Sequence, residues 1–379
     1  MSTAMDRQLN MLMETAGDFA ADEIATRPDL YSEEPFPQDI WRKMGKANLL
    51  GLGLPKDYGG LGGNYLALVA VGETLVARGH NLGIVLSWLI HSAVARFLIL
   101  GFGSQGQKER FLPPLARGHS TAALAASEPG TGAHPGHMRT QAAAKGDTYV
   151  LNGEKTYLTN GPIADLYVVF AVTGKSQKEN QITAFLVPSG TRGLSLSSDL
   201  NLGILGPSPH CGLILENASV PTSAILGTKG RAYEQMIKPF RDIEDTLMTG
   251  PLVGGMTRQL DIVTHLCHAS DVVLSPELKE TLGLFQSLGH ALRTIAHESA
   301  AVMDDHQMPP GGFPLLLAFR HIFKTAQSHL NHFLTESGIQ ATAQFNALTQ
   351  DIHGAMGIAD KISRIKQRRI GESVLAGTT

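Results

Sequence analysis

Apolar residues near the start of the chain recur at intervals of three and four. Leu9, Met13, Ala16, Phe19, Ala20 and Ile24 fall on one helical stripe within MDRQLNMLMETAGDFAADEIA. A second helix is expected over PQDIWRKMGKANLL, with Pro37 near its start. LPKDYGGLGG (54–63) holds four glycines and reads as a loop. Two apolar helices follow, and Pro113 and Pro114 are expected to interrupt or kink the next one. The texture then becomes that of strands. DTYVLNGEKTYLTNG places Asn152-Gly153 between two β-prone runs, a hairpin signal, and Asn160-Gly161 ends the second run. ADLYVVFAV, ITAFLVPSG and GLILENASVP read as further strands of a small barrel or sandwich. Helical spacing returns with Phe285, Leu288, Leu292, Ile295, Ser299 and Val302, a stripe suited to an antiparallel bundle. MPPGGFP (308–314) is a loop, and helices are expected at 315–337 and 338–353.

The pattern is therefore α+β and mostly α. A helical domain (1–118) precedes a central β-domain (119–228) and a C-terminal four-helix bundle (229–379). A chain of 379 residues exceeds one ordinary core, which supports the division. LGIVLSWLIHSAVARFLILG (82–101) approaches transmembrane length. It contains His91 and Arg96 and lacks a basic flank, so a buried helix is expected and no membrane partner.

Charge and cysteines narrow the function. There are 31 basic and 34 acidic side chains, with no long basic run, so no nucleic-acid partner is expected. RIKQRR (364–369) is a short cluster of the kind that faces solvent or complements a helix C-terminus. Cys211 and Cys267 make no disulfide framework and fit a reducing, cytoplasmic setting. The N-terminal stretch carries early charges and lacks the apolar core of a signal peptide. Neither THLCHAS nor HLNH supplies a complete ligand set, so no metal is expected.

Five stretches in order carry a resemblance to the acyl-CoA dehydrogenase family over nearly the whole chain. They are LPKDYGGLGG, GFGSQGQKERFLPPLARGH, SEPGTGAH (127–134), NGEKTYLTNGPIADLYVVFAV and LENASVPTSAILGTKGRAYEQM. The resemblance implies that family's fold, FAD, and removal of two hydrogens from an acyl thioester borne by CoA or a carrier protein. It also implies a homodimer or homotetramer. By resemblance, Ala126, Ser127, Tyr157 and Thr159 hold the flavin ring, Tyr157 standing where the family usually has Trp. Taken without it, Ser127 only caps a turn and Tyr157 only fills the core.

The chain also departs from the family pattern. The family's C-terminal catalytic Glu position is Ala376, although Thr378 of that triplet survives and is expected at the flavin. Other members carry the base on a helix matching RDIEDTLMTGPLVGG. Aligned on Gly-Pro-Leu, that position is Ile243, and Glu244 follows one residue on, 100° around the helix. Glu244 is the candidate base; the alternative is a solvated acidic patch with Asp242 and Asp245. The family's diphosphate-binding Arg-x-x-Phe-Gly is replaced within HASDVVLSPELKE, and its Gln by Asp351. The family's Ser-Asp after the glycine is Ala133-His134, and the Arg-Asp of its last helix is Gln367-Arg368 or nearby. Three readings stay open: a thioester dehydrogenase or oxidase with a relocated base, a flavin monooxygenase on the same fold, and a non-catalytic subunit supporting a paralogous partner.

Overall fold

The computed structural model describes residues 3–31, 35–176, 179–270, 272–305, 314–358 and 360–377. The helices are α1 (Thr3–Phe19), α2 (Gln38–Lys46), α3 (Tyr65–Gly79), α4 (Leu82–Ala93), α5 (Gln105–Ala116), α6 (Lys238–Ala269), α7 (Pro276–Asp304), α8 (Pro314–Ser337), α9 (Ala343–Ile358) and α10 (Asp360–Leu375). The strands are β1 (Ala122–Ala125), β2 (Gln141–Lys145), β3 (Thr148–Thr159), β4 (Leu166–Ser176), β5 (Glu179–Pro188), β6 (Leu194–Leu196), β7 (His210–Pro221) and β8 (Ile225–Leu226). The backbone forms two compact units. One joins 1–31, 65–85 and 245–379; the other joins 32–64 and 86–244.

The first unit is helical. Its closest packing comes from two glycines one turn apart on α6. A Cβ on Gly250 would lie 2.0 Å from the Val69 carbonyl of α3, and one on Gly254 would lie 2.2 Å from that of Glu73. Backbone meets backbone there, and no side chain fits between. Asp304, at the end of α7, caps α3 by accepting from the Tyr65 and Leu66 amides at 2.8 and 3.0 Å. Arg293 of α7 donates to Glu73 at 2.6 Å. On α7 the buried positions are Phe285, Leu292, Ala296, Ser299, Ala300 and Met303, while Leu288, Ile295 and Val302 are half-buried. The inward face is thus rotated slightly from the stripe expected. Gly338 ends α8 at φ +66, and Thr342 then caps α9 through the Phe345 amide at 3.1 Å. That pair of signals moves the start of α9 from the expected 338 to 343. Replacing Gly254 with valine is expected to destabilise this unit by about 3 kcal/mol or more, because the obstacle is a carbonyl that cannot turn aside. Urea unfolding followed by helical circular dichroism checks it.

In the second unit the strands form one eight-stranded sheet in the order β6-β7-β3-β2-β4-β5-β8, with β1 added parallel on β4. Its core gathers Tyr149, Leu151, Leu158, Tyr167, Phe185, Val187 and Leu213. The expected hairpin at Asn152-Gly153 is not a turn. Both residues lie within β3, and the turn joining β2 to β3 is Gly146-Asp147, where Lys145 pairs with Thr148. Gly146 has φ +62, which a tight hairpin needs. Gly153 serves another purpose. The register slips between Leu151 and Gly153, and a Cβ there would lie within 2.8 Å of Thr140. At Pro113 and Pro114, α5 is not interrupted; it runs on to Ala116.

The apolar stretch 82–101 packs inside the fold: Leu82–Leu100 is 83% buried. Its two ionisable side chains make hydrogen bonds there. Arg96 donates to the carbonyls of Gly53 and Gly63 at 2.6 and 3.0 Å, which pins the glycine loop. His91 is fully buried between the Leu115 carbonyl and the Ala122 amide, each at 3.2 Å. The carbonyl only accepts, so Nε2 carries the hydrogen and Nδ1 accepts. Burial pulls this imidazole down to about 4, against a weak opposing pull from Leu115. The unfolded chain then binds a proton at His91 below its ordinary pKa near 6.5, while the folded chain does so only near 4. Stability is therefore full above pH 6.5 and falls through that window. His91→Gln is expected to flatten the slope of unfolding free energy between pH 6.5 and 4, measured by urea melts.

Candidate active site

Two segments of the second unit meet where β3 ends. The loop after β1 carries Ala126, Ser127 and Glu128, and the last turn of β3 carries Tyr157 and Thr159. The Thr156 amide donates to the Ser127 carbonyl at 2.9 Å and ties the two together. The register of β3 on β7 slips again between Lys155 and Leu158, leaving Thr156 and Tyr157 outside the ladder. At this bulge Tyr157 takes φ +58 and is 64% exposed. A large residue in the left-handed region carries strain of about 1–3 kcal/mol, held only where surroundings fix it. Tyr157 is therefore not a core residue: the bulge turns its ring outward.

A buried ion pair fixes the loop from behind. Lys155 is fully buried and Glu128 is 3% exposed, with Nζ 2.9 Å from Oε1. Lys155 also donates to the Ala126 carbonyl at 3.3 Å. Glu128 accepts from the Arg139 and Thr140 amides at 2.7 and 3.0 Å and from the Thr140 hydroxyl at 2.6 Å. Burial alone would raise the Glu128 carboxyl, but Lys155 and these donors outweigh it and hold it below its ordinary value. Burial pulls Lys155 down to about 8, with Glu128 opposing. The pair is charged at neutral pH, and every oxygen of the carboxylate is occupied.

The half-buried Thr159 lies 3.0 Å through Oγ1 from Nε2 of His210, whose Nδ1 is 2.9 Å from the Ser208 carbonyl. Asn160 is buried at φ +65 and donates through its amide side chain to the Ser87 carbonyl at 2.8 Å. Among the described residues its Oδ1 has no hydrogen-bond partner, and neither does Oγ1 of Thr131 in the loop after β1. Buried acceptors and hydroxyls of this kind normally find a partner.

Ala126, Ser127, Tyr157 and Thr159 thus lie on these two joined segments. Glu244 lies early on α6, exposed, one residue after Ile243, which is 3% exposed. Ala376 is exposed just beyond α10, its amide bonded to the Glu372 carbonyl at 3.0 Å, and Thr378 lies outside the described residues. Within HASDVVLSPELKE, the stretch matched to the family's diphosphate motif, Val273 is 94% exposed. The sequence alone gives no role to Glu128, Lys155, Asn160 or His210. The first three stand inside the quoted motifs; His210 had no signal beyond an isolated histidine at the start of an apolar strand.

Models for the N-terminal and middle domains of acyl-CoA dehydrogenases match residues 6–119 and 123–218. The chain belongs to the acyl-CoA dehydrogenase family. An acyl-CoA dehydrogenase of Bacillus subtilis (strain 168) is 35% identical over 225 residues, 59% of each chain. The stretches matched in the first such relatives span about three fifths of those proteins' own lengths. Among solved structures, butyryl-CoA dehydrogenase from Megasphaera elsdenii superposes with a TM-score of 0.82 at 21% identity, covering 99% of both chains. A glutaryl-CoA dehydrogenase from Mycobacterium smegmatis in complex with FADH2 gives 0.82 at 22%, covering 98% of this chain and 96% of that one. These two likenesses establish the acyl-CoA dehydrogenase fold across the whole chain.

Proposed function

We propose that this chain binds FAD and removes two hydrogens from adjacent carbons of an acyl thioester carried by CoA or a carrier protein. The observation that carries the reading is the outward-turned, strained Tyr157 beside Thr159 on a bulge tied to Ser127. A flavin ring has apolar faces and a polar edge, and this set offers an aromatic face with hydroxyls beside it. In this reading Tyr157 covers a ring face, Ser127 and Thr159 meet the polar edge, Ala126 contributes backbone, and the Lys155–Glu128 pair keeps that backbone in place. Thr378 is a further proposed flavin contact, as the resemblance implies. The flavin, when bound, supplies the acceptor for the hydride from the β-carbon.

The chain itself must take the α-proton, for which a positioned carboxylate is needed. Glu244 is the proposed base, its carboxylate oxygen receiving the proton. The family's other two positions offer none, since Ile243 is a hydrocarbon and Ala376 ends in a methyl group. That same observation favours a second reading, a subunit that keeps the fold and supports a paralogous partner. We further propose a homodimer or homotetramer working in the cytoplasm, and the three-domain division drawn from the sequence. Anaerobic addition of butyryl-, octanoyl- or palmitoyl-CoA to the FAD-loaded protein tests the chemistry. Bleaching of the flavin band supports the dehydrogenase. No bleaching with any thioester supports the second reading, and oxygen consumption coupled to hydroxylation would mark a monooxygenase instead.

A further inference from the structure

The hydrogen bond behind Thr159 has a fixed direction, and its consequence reaches the flavin. Nδ1 of His210 lies 2.9 Å from the Ser208 carbonyl, which can only accept, so Nδ1 carries the hydrogen of a neutral ring. Nε2 is then a bare lone pair 3.0 Å from Thr159 Oγ1. The threonine hydroxyl has one hydrogen, and it points back at His210. Whatever lies in front of Thr159 meets lone pairs only.

We propose that His210 is a positioning residue that makes Thr159 a hydrogen-bond acceptor toward the site and thereby favours reduced over oxidised flavin. This rests on the flavin reading above. In this proposal Thr159 meets N5 of the ring, which accepts when the flavin is oxidised and bears a hydrogen and donates when it is reduced. An acceptor-only hydroxyl complements the reduced form and opposes the oxidised one. Protonation of His210 would reverse the polarity: Nε2–H would donate to Thr159, and the hydroxyl hydrogen would turn to the site. His210 is 7% exposed, and burial lowers its pKa against the Ser208 carbonyl, so the ring is neutral at neutral pH. Its neighbours do not compete for this role. The Cys211 thiol is pushed up to about 11 by burial and Asp199, and the Tyr167 phenol is raised by burial, Cys211 and Asp165. Both stay neutral through the working range, and the Tyr167 hydroxyl is committed to the Gly161 carbonyl at 2.8 Å.

The test has two arms. The first needs no flavin: nitrogen chemical shifts of histidine-labelled protein report the tautomer of His210, assigned by comparison with His210→Phe. Hydrogen on Nδ1 is expected; hydrogen on Nε2 overturns the inference. The second compares dissociation constants for oxidised and reduced FAD. His210→Phe releases the hydroxyl to donate, so the oxidised-to-reduced ratio should fall at least tenfold, equivalent to a potential lowered by about 30 mV for two electrons. In a Thr159→Val background the same His210 change should leave the ratio unaltered, a result that a merely structural histidine would not give. An unchanged ratio in His210→Phe, or an equal shift with Thr159 absent, overturns the inference. If wild-type protein takes up FAD while the tautomer is wrong, this inference alone fails. If no FAD is taken up although the tautomer is right, the flavin reading has failed and takes the inference with it.

Discussion

Lys155→Met is expected to destabilise the protein by about 3–5 kcal/mol, a large part of the stability of an ordinary domain. The change removes one charge of a fully enclosed pair and leaves Glu128 buried with its charge uncompensated. The loss should also reach the site, because Lys155 holds the Ala126 carbonyl and Glu128 holds the Arg139 and Thr140 amides. FAD uptake should therefore weaken together with stability. Lys145→Met, at an exposed lysine on the neighbouring strand, should change stability by less than about 0.5 kcal/mol. Adding Glu128→Gln to Lys155→Met should recover part of the loss, since it removes the stranded charge. Urea midpoints for the four proteins measure all of this. A Lys155→Met midpoint equal to wild type would contradict the ion pair's role.

Glu244→Gln is expected to slow flavin bleaching by an acyl thioester by about 10²–10⁴-fold, the range supplied by a positioned general base. The amide is nearly isosteric but cannot take the α-proton. FAD uptake should not change, because no cofactor role is assigned to Glu244. Asp242→Asn, on the same acidic stretch, separates the candidates: a comparable loss there would move the base by two residues. An undiminished rate in Glu244→Gln would remove the residue from the mechanism.

Much of the architecture could be read from periodicity. The stripe through Ala16, Ala20 and Ile24 is buried as its spacing implied, and the apolar runs ADLYVVFAV and ITAFLVPSG lie in adjacent strands. What failed was local backbone geometry. Asn152-Gly153 carries the composition of a turn, but Gly153 is needed where β3 passes close over Thr140, and the actual turn is the less conspicuous Gly146-Asp147. The same limit hid the site's most telling feature. Alternation cannot show that a bulge at Thr156-Tyr157 turns the tyrosine outward, since a one-residue slip exchanges the faces of a strand. Lys155 was equally opaque: a lysine in a strand reads as a solvent-facing residue until the buried carboxylate of Glu128, 27 residues earlier, closes on it. The residues proposed at the flavin ring could be named because they sit in motifs. His210 was not, because its meaning depends on which hydrogen it bears, and that is set by the carbonyl of Ser208.

The junction of the β1 loop with the end of β3 is proposed to hold a flavin. Its most direct test is the visible spectrum of purified protein incubated with FAD and then desalted. A retained flavin band that is lost in Tyr157→Ala combined with Thr159→Val is the predicted result. A colourless wild-type protein, or a band indifferent to both substitutions, would contradict the account.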